Sequence, residues 1–521
     1  MQADLDAVEF GGIRRLIERL TVTPYGAEAA CALEPAPEQA TAQRMQEAVS
    51  AARRAIEAGA PGLAKLPDIR AARRQAAQTG SALSVPALHH INQLMAAMKP
   101  LAQQAAHYPG LYPGDPAELA APRALAAEFD RALHPGGRLR EEASAPLQAA
   151  AQEVAAQRNL VFGLLEKKIA ELKLKGRSED LIVSQGVRLV LSVPPEAAAD
   201  IKGVRRGAAG PGRRQLIEPL EVVAANNRLE TVNGEREAQE LAVRRALTTV
   251  VRQADADLAR LIGAIAWIDL AFAGGHLSVH LNASPPQWTD ARTLDLQGAY
   301  HPAMLLAYAD RRGPQPVPLS IRLDADRPML LVTGPNTGGK TVVLKTVGLL
   351  VTMAYCGLHL PTEGPAVIGD FTRLIVDIGD RQSLMHQLST FAAHVGVLKR
   401  LLTEADQDTL VLMDELGTGT DPEEGAALAM AVLDELAGRA VRGIITTHLS
   451  PLKTYAGQHP YLTNATMHFD AQRLAPTYEL EIGRSGSSHG LVIAGRGGLS
   501  DQLLARARDH LARIAPEHEA V

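Results

Sequence analysis

Gly334-Pro-Asn-Thr-Gly-Gly-Lys-Thr341 fits the phosphate-loop pattern G-x-x-x-x-G-K-[ST] at every fixed position, and this stretch decides the fold class. Upstream, Pro328-Met-Leu-Leu-Val-Thr333 reads as a short buried strand; downstream, Thr341 to Tyr355 reads as a helix. That strand-turn-helix setting is what the motif needs to close backbone N–H groups around phosphates at a helix N-terminus. Gly334, Pro335, Asn336, Thr337, Gly338 and Gly339 are therefore expected to cradle ATP, with Lys340 reaching the β- and γ-phosphates and the Thr341 hydroxyl ligating Mg2+.

Leu410-Val-Leu-Met-Asp-Glu415 is an apolar run ending in two carboxylates, the pattern of a buried parallel strand that opens at its C-terminal end onto a phosphate site. Asp414 is expected to hold the magnesium shell and Glu415 to orient or deprotonate the attacking water. Val441-Arg-Gly-Ile-Ile-Thr-Thr-His448 has the same form, which makes His448 a candidate γ-phosphate sensor. From about Pro328 onward strands and helices alternate as in a doubly wound α/β domain.

A chain of 521 residues is long enough for several domains, and its formal charge of −5 confines any nucleic-acid site to a local patch. One such patch exists. Lys202, Arg205, Arg206, Arg213 and Arg214 fall within thirteen glycine-rich residues that contain no acid, which reads as a mobile basic loop. Cys31 and Cys356 are too few and too far apart for a disulfide framework or a metal site. The N-terminus has no signal-peptide core, and the apolar stretch Val342 to Leu360 contains Lys345 and His359, so a cytoplasmic protein with no membrane contact is expected.

Before the phosphate loop the pattern is helical. Up to about Asp130 short helices are expected between Pro24, Pro35, Pro61, Pro67, Pro86 and Pro100. A longer helix is expected over Leu147 to Leu174. Two short strands follow around Gln185-Gly186, and a second long helix from Glu235 through Ile262 continues its apolar spacing to Ile268. Two long helices flanking a small basic β insert suggest a projecting arm with the insert at its tip. The domain reading is 1–135 helical core, 136–275 arm and insert, and 276–521 ATPase and dimerisation domain.

These landmarks together resemble the MutS family of ATPases, within the ABC-type class. The resemblance rests on Gly334 to Thr341, Gln387-Leu-Ser-Thr-Phe391, Asp414-Glu-Leu-Gly-Thr-Gly-Thr-Asp-Pro422, Thr446-Thr-His448 and Gly486-Ser-Ser-His-Gly490, in the family's order. Gly419 to Gly425 and Ser389-Thr-Phe-Ala-Ala-His394 are similar to the second bacterial branch, MutS-II; mismatch-repair MutS usually has glutamate where this chain has His394. Leu66 to Arg70, Glu218 to Val223 and Asn226-Asn227 extend the resemblance over nearly the whole chain. It implies a helical lever, a nucleic-acid clamp and a homodimeric ATPase. It also implies that Ser389 reaches the partner's γ-phosphate, and that the segment at His301-Pro302 lies near the adenine.

No mismatch-reading domain precedes the lever-like helices, so mismatch reading is not expected. Many MutS-II proteins have a serine- and glycine-rich stretch where this chain has Gly207 to Gln215. Such proteins commonly continue past the ATPase into a small nuclease domain, whereas this chain stops at Val521, so nuclease activity is not expected either. Two substrates remain open: branched or duplex DNA in recombination control, or ribosomes, since the branch is also associated with splitting stalled ribosomes. Both need phosphate contacts from a basic arm. A transporter ATPase is a third reading, but Leu388-Ser-Thr-Phe391 replaces the signature expected there.

Overall fold

The computed structural model describes residues 2–209, 214–334, 338–378, 390–470, 475–486, 494 and 498–514. The chain forms two compact units, one made of 1–64, 104–116 and 264–521 and the other of 65–103 and 117–263. It is a multidomain α/β protein with mixed sheets.

The first unit is built on a seven-stranded sheet in the order Gln2–Ala3, Arg373–Asp377, Thr409–Met413, Arg442–Thr446, Met329–Thr333, Leu462–Asp470 and Ala475–Ile482. All neighbours are parallel except the last pair. Met329–Thr333 and Thr409–Met413 are buried along their whole length, as strands covered on both faces must be. From Met329–Thr333 the chain enters the helix Lys340–Tyr355 and rejoins the sheet three strands away at Arg373. It then steps back through Thr409–Met413 and Arg442–Thr446, and crosses the first strand to Leu462. The register Val332 to Thr446, Met413 to Ile445 and Asp377 to Met413 brings four strand C-termini to one edge, where open α/β sheets bind ligands.

The N-terminal residues belong to this unit, although the sequence reads them as part of a separate helical segment. Gln2 and Ala3 pair with Arg373 and Leu374. Val8 is fully buried against Gly348, where a Cβ would lie 2.6 Å from Val8 Cγ1, and Glu9 bonds Lys345 at 2.7 Å. A smaller sheet of the same unit orders Leu319–Leu323, Leu294–Ala299, Ala366–Gly369 and Gln287–Thr289.

In the second unit Ala145–Glu171 packs against Leu220–Gln253, and both cover a four-stranded sheet ordered Ile182–Gln185, Arg188–Val193, Arg214–Pro219 and Gly203–Ala209. Val161, Leu165 and Ile169 of one helix and Val222, Leu229 and Val232 of the other enclose Leu189, Leu191, Val193 and Ile217. Each such side chain contributes roughly 1.5–3 kcal/mol on burial.

Three expectations change here. The second long helix begins at Leu220 and runs through Gly234, because buried Leu229 and Val232 outweigh the roughly 1 kcal/mol propensity cost of glycine. It ends at Ala254 (φ −90°, ψ 10°), and a new helix, Asp255–His280, carries the later apolar positions. Pro100 lies inside the helix Val85–His107 instead of ending it. The basic stretch is not simply a loop, since 203–209 and 214–219 pair antiparallel on either side of 210–213, which lie outside the described residues. The helix Asp255–His280 is long and apolar enough to cross a membrane, but 67% of its most apolar window is buried inside the protein.

Candidate functional site

Two glycines shape the cradle. Gly334 (φ 128°) turns the chain off the end of its strand, and Gly339 (φ 95°) caps the helix Lys340–Tyr355; both conformations strain a side-chain-bearing residue. Lys340 follows at once and is only 2% exposed. Its ammonium donates to the Gly334 carbonyl and to His448 Nδ1 at 3.2 Å. Burial pulls its pKa down from 10.5 to about 8, against the opposing charges of Asp414 and Glu415.

The Thr341 hydroxyl donates to Asp414 Oδ2 at 2.6 Å. Asp414 Oδ1 accepts from Thr446 Oγ1, which itself accepts the Glu415 N–H at 2.8 Å. Thr446, fully buried at the end of the neighbouring strand, therefore orients both carboxylate residues. Thr447 Oγ1 donates to the Leu416 carbonyl at 3.1 Å, and the Leu416 N–H donates to the Thr446 carbonyl at 2.9 Å. These bonds hold Glu415 at φ 57°, a left-handed conformation that costs a non-glycine residue roughly 1–3 kcal/mol and persists only where its surroundings impose it.

His448 Nε2 lies 3.0 Å from Glu415 Oε1. An ammonium has no acceptor, so Nδ1 of His448 must accept from Lys340 and Nε2–H must donate to Glu415. Lys340, His448 and Glu415 thus form one hydrogen-bonded line beside the Thr341–Asp414 pair. A hydroxyl and a carboxylate 2.6 Å apart are hard oxygen donors of the kind magnesium takes. Among the described residues no cluster of three or more His, Cys, Asp or Glu forms a metal cage.

Tyr478 joins the site from the far edge of the sheet. A Cβ at Gly339 would lie 3.1 Å from Tyr478 Cδ1, so the ring rests on the glycine that opens the helix. Its own backbone is left-handed (φ 63°) and the residue is 53% exposed.

Residues 330–515 match the model of MutS domain V, a span that takes in the cradle, Asp414, Glu415, His448 and Tyr478. Over 517 residues the chain is 35% identical to the endonuclease MutS2 of Symbiobacterium thermophilum, covering 98% of this chain and 63% of that protein. The chain belongs to the MutS family. The MutS2 of Thermus thermophilus is 34% identical over 97% of this chain and 66% of its own length, and that of Carboxydothermus hydrogenoformans 37% identical over 74% and 49%. The chain therefore spans less than two thirds of the length of these MutS2 relatives.

His301 precedes the MutS domain V match and makes no hydrogen bond or ion pair with Lys340, Asp414 or Glu415 among the described residues. It occupies the N-cap position of the helix Pro302–Ala309 without a side-chain cap bond, in the field of Glu9 and Lys345, and burial lowers its pKa. Its Nδ1 is buried with no hydrogen-bond partner among the described residues. Of the basic residues, Lys202 and Arg205 are exposed. Arg206 instead bonds the fully buried Glu218 at 2.6 and 2.8 Å, and Arg214 donates to Ser192 Oγ at 3.1 Å and to its carbonyl. Pro335, Asn336, Thr337, Arg213 and Ser389 lie outside the described residues, as do Gln387, Leu388 and 487–490.

Sequence reasoning missed Thr446 and Tyr478. The paired threonines before His448 were a usable signal, because two polar residues at the end of a buried strand need partners. Nothing local to Tyr478 announced its place, which depends on the antiparallel pairing of 475–482 with 462–470.

Proposed function

We propose that this chain binds and hydrolyses ATP at the sheet edge, and that as a homodimer it uses the nucleotide cycle to open and close a nucleic-acid clamp. The observation carrying the first part is the line from Lys340 through His448 to Glu415 beside the paired Thr341 and Asp414. In this reading the Lys340 ammonium meets the terminal phosphates, and Thr341 and Asp414 hold magnesium, which when bound neutralises phosphate charge. Glu415 orients the attacking water and receives its proton, with His448 fixing the carboxylate on one side. Family membership supports this reading, as does the backbone of Glu415, because strained positions collect at functional sites.

The clamp part rests on the MutS family frame and on a basic, β-capped helical unit. The names of the relatives include endonuclease, a term that belongs to those longer proteins. Here Asp295 lies within a strand and faces Arg322 at 3.7 Å, an ordinary cross-strand ion pair.

Glu415→Gln tests the chemistry. Equilibrium ATP binding stays within a factor of about two, while single-turnover hydrolysis falls about 10²- to 10⁴-fold, the range of a lost general base. Lys340→Ala instead weakens triphosphate binding. Near-normal turnover by Glu415→Gln sinks the assignment. Binding of duplex DNA, four-way junctions and ribosomes, each with ADP or a nonhydrolysable ATP analogue, separates recombination control from ribosome splitting.

A further inference from the structure

Gly486 opens the Gly486-Ser-Ser-His-Gly490 stretch, and its backbone is held on both sides. Its N–H donates to Thr333 Oγ1 at 3.1 Å, and its carbonyl accepts from Lys453 Nζ at 3.0 Å. Thr333 is fully buried, donates its hydroxyl to the Ala465 carbonyl at 3.1 Å, and immediately precedes Gly334, the first residue of the phosphate loop. Only glycine fits at 486, since a Cβ there would lie 2.4 Å from Thr466 Oγ1. Lys453 stands on the helix Ser450–Gln458, five residues after His448, and its carbonyl is tied to Asn464 Nδ2 at 2.8 Å.

We propose that Lys453 is a positioning residue for the nucleotide site: its ammonium fixes Gly486, and through Gly486 fixes the Thr333 side chain at the root of the phosphate loop. The inference rests on the ATP-binding reading above and deepens it. Among the described residues Lys453 makes no hydrogen bond to the cradle; it acts through the two bonds at Gly486. Partial burial lowers its pKa, so its charge is retained at a desolvation cost that a solvent-facing lysine would not carry.

The test compares K453M, K453R, T333V and the K453M/T333V double variant with the wild-type chain, measuring fluorescent ATP-analogue affinity, steady-state kinetics and thermal unfolding. Loss of positioning weakens ground state and transition state alike, so K453M raises Kd and KM together by roughly three- to ten-fold, the worth of one hydrogen bond, and leaves kcat nearly unchanged. K453R, which keeps a donor, restores most of the affinity. The double variant is no worse than the poorer single one, because both break the same chain of hydrogen bonds. Wild-type affinity in K453M, a fall confined to kcat, or strict additivity with T333V overturns the proposal. Loss of affinity that merely follows a lowered unfolding temperature, without rescue by K453R, also overturns it. A wild-type chain that binds no ATP overturns the nucleotide reading itself, and this inference with it.

Discussion

A lysine buried at a phosphate loop makes ligand binding visible through its proton. Burial pulls the pKa of Lys340 down to about 8, against 10.5 when solvated, so between these values the unfolded chain carries more protons than the folded one. Raising the pH through that window therefore favours the fold: the cost of the buried cation is present below about pH 8 and disappears towards 10.5. Phosphates favour the charged form, so ATP binding near pH 9 takes up about one proton per site and its affinity weakens as pH rises. Calorimetry in two buffers of different ionisation enthalpy measures this uptake, and its absence contradicts the assignment of Lys340 to the phosphates. Tyr478 carries a second expectation at this scale. Tyr478 is exposed and its ring lies on Gly339; if it covers a bound nucleotide, Tyr478→Ala raises KM by roughly five- to thirty-fold, equivalent to about 1–2 kcal/mol of ring contact, with a smaller change in kcat. An unchanged KM returns the ring to a purely local packing role. Lys340, Thr341, Asp414, Glu415 and His448 were legible in the sequence because each lies at a strand end or loop whose chemistry is encoded within a few neighbouring residues. Tyr478 was not, because its role comes from which strands become neighbours, and Thr446 was visible only as a polar strand end whose partners, Asp414 and Glu415, lie at the end of the next strand.

At the scale of elements, the small sheet of the second unit shows why charge alone is a poor guide to an interface. Glu218, the last residue before Pro219 and the long helix, is fully buried and accepts from Arg188 at 2.8 Å, from Arg206 and from Asn226 at 2.9 Å. Burial raises the pKa of its carboxyl, and Arg206, Asn226 and Arg188 together more than reverse that, leaving it below the usual range. Asn226 spends its remaining donor and its acceptor on the Leu189 backbone, so the joint between sheet and helix is a fully bonded polar network. Two of the five basic residues read from the sequence as nucleic-acid contacts are therefore already engaged, Arg206 with Glu218 and Arg214 with Ser192. Lys202 and Arg205 keep their side chains in solvent. Replacing Lys202 and Arg205 with alanine should lower the log–log salt slope of duplex binding by about 0.9 for every phosphate that is no longer neutralised, with little change in thermal stability. Arg206→Ala should instead destabilise the unit by about 1.5–3 kcal/mol through its bond to a buried charge. Equal salt slopes before and after the Lys202/Arg205 double replacement would return that face to ordinary solvated surface. The sequence displayed the charges and the paired strands but could not display Glu218 as their partner, since an acid one residue before a proline looks exposed until the sheet closes over it.

On the scale of the whole molecule, the N-terminus is built into the edge of the nucleotide-binding sheet, and Val8 and Glu9 pack on the helix that follows the phosphate loop. No periodicity in residues 1–10 could have revealed this, because a two-residue strand is defined by its partner, Arg373–Asp377. The same sheet edge leads from Asp377 towards the helix Thr390–Glu404, where His394 Nδ1 stands 3.4 Å from Asp377 Oδ2 and the Asp414 N–H donates to the Asp377 carbonyl at 2.8 Å. The helix next to Ser389 is thus tied to the strand end that carries Asp414 in its own subunit. The resemblance to MutS proteins implies that Ser389 reaches the partner's γ-phosphate in the proposed homodimer, and on that reading each site draws residues from two chains. Ser389→Ala and Glu415→Gln then damage different halves of a composite site. Random exchange between equal amounts of the two variants makes about half of the dimers mixed, each with one doubly impaired and one intact site, which returns about a quarter of wild-type turnover. If Ser389 served its own subunit, every site in the mixture would carry one defect and turnover would stay at the level of the separate variants. Measuring ATP turnover before and after mixing, with subunit exchange followed by fluorescence energy transfer, distinguishes the two arrangements.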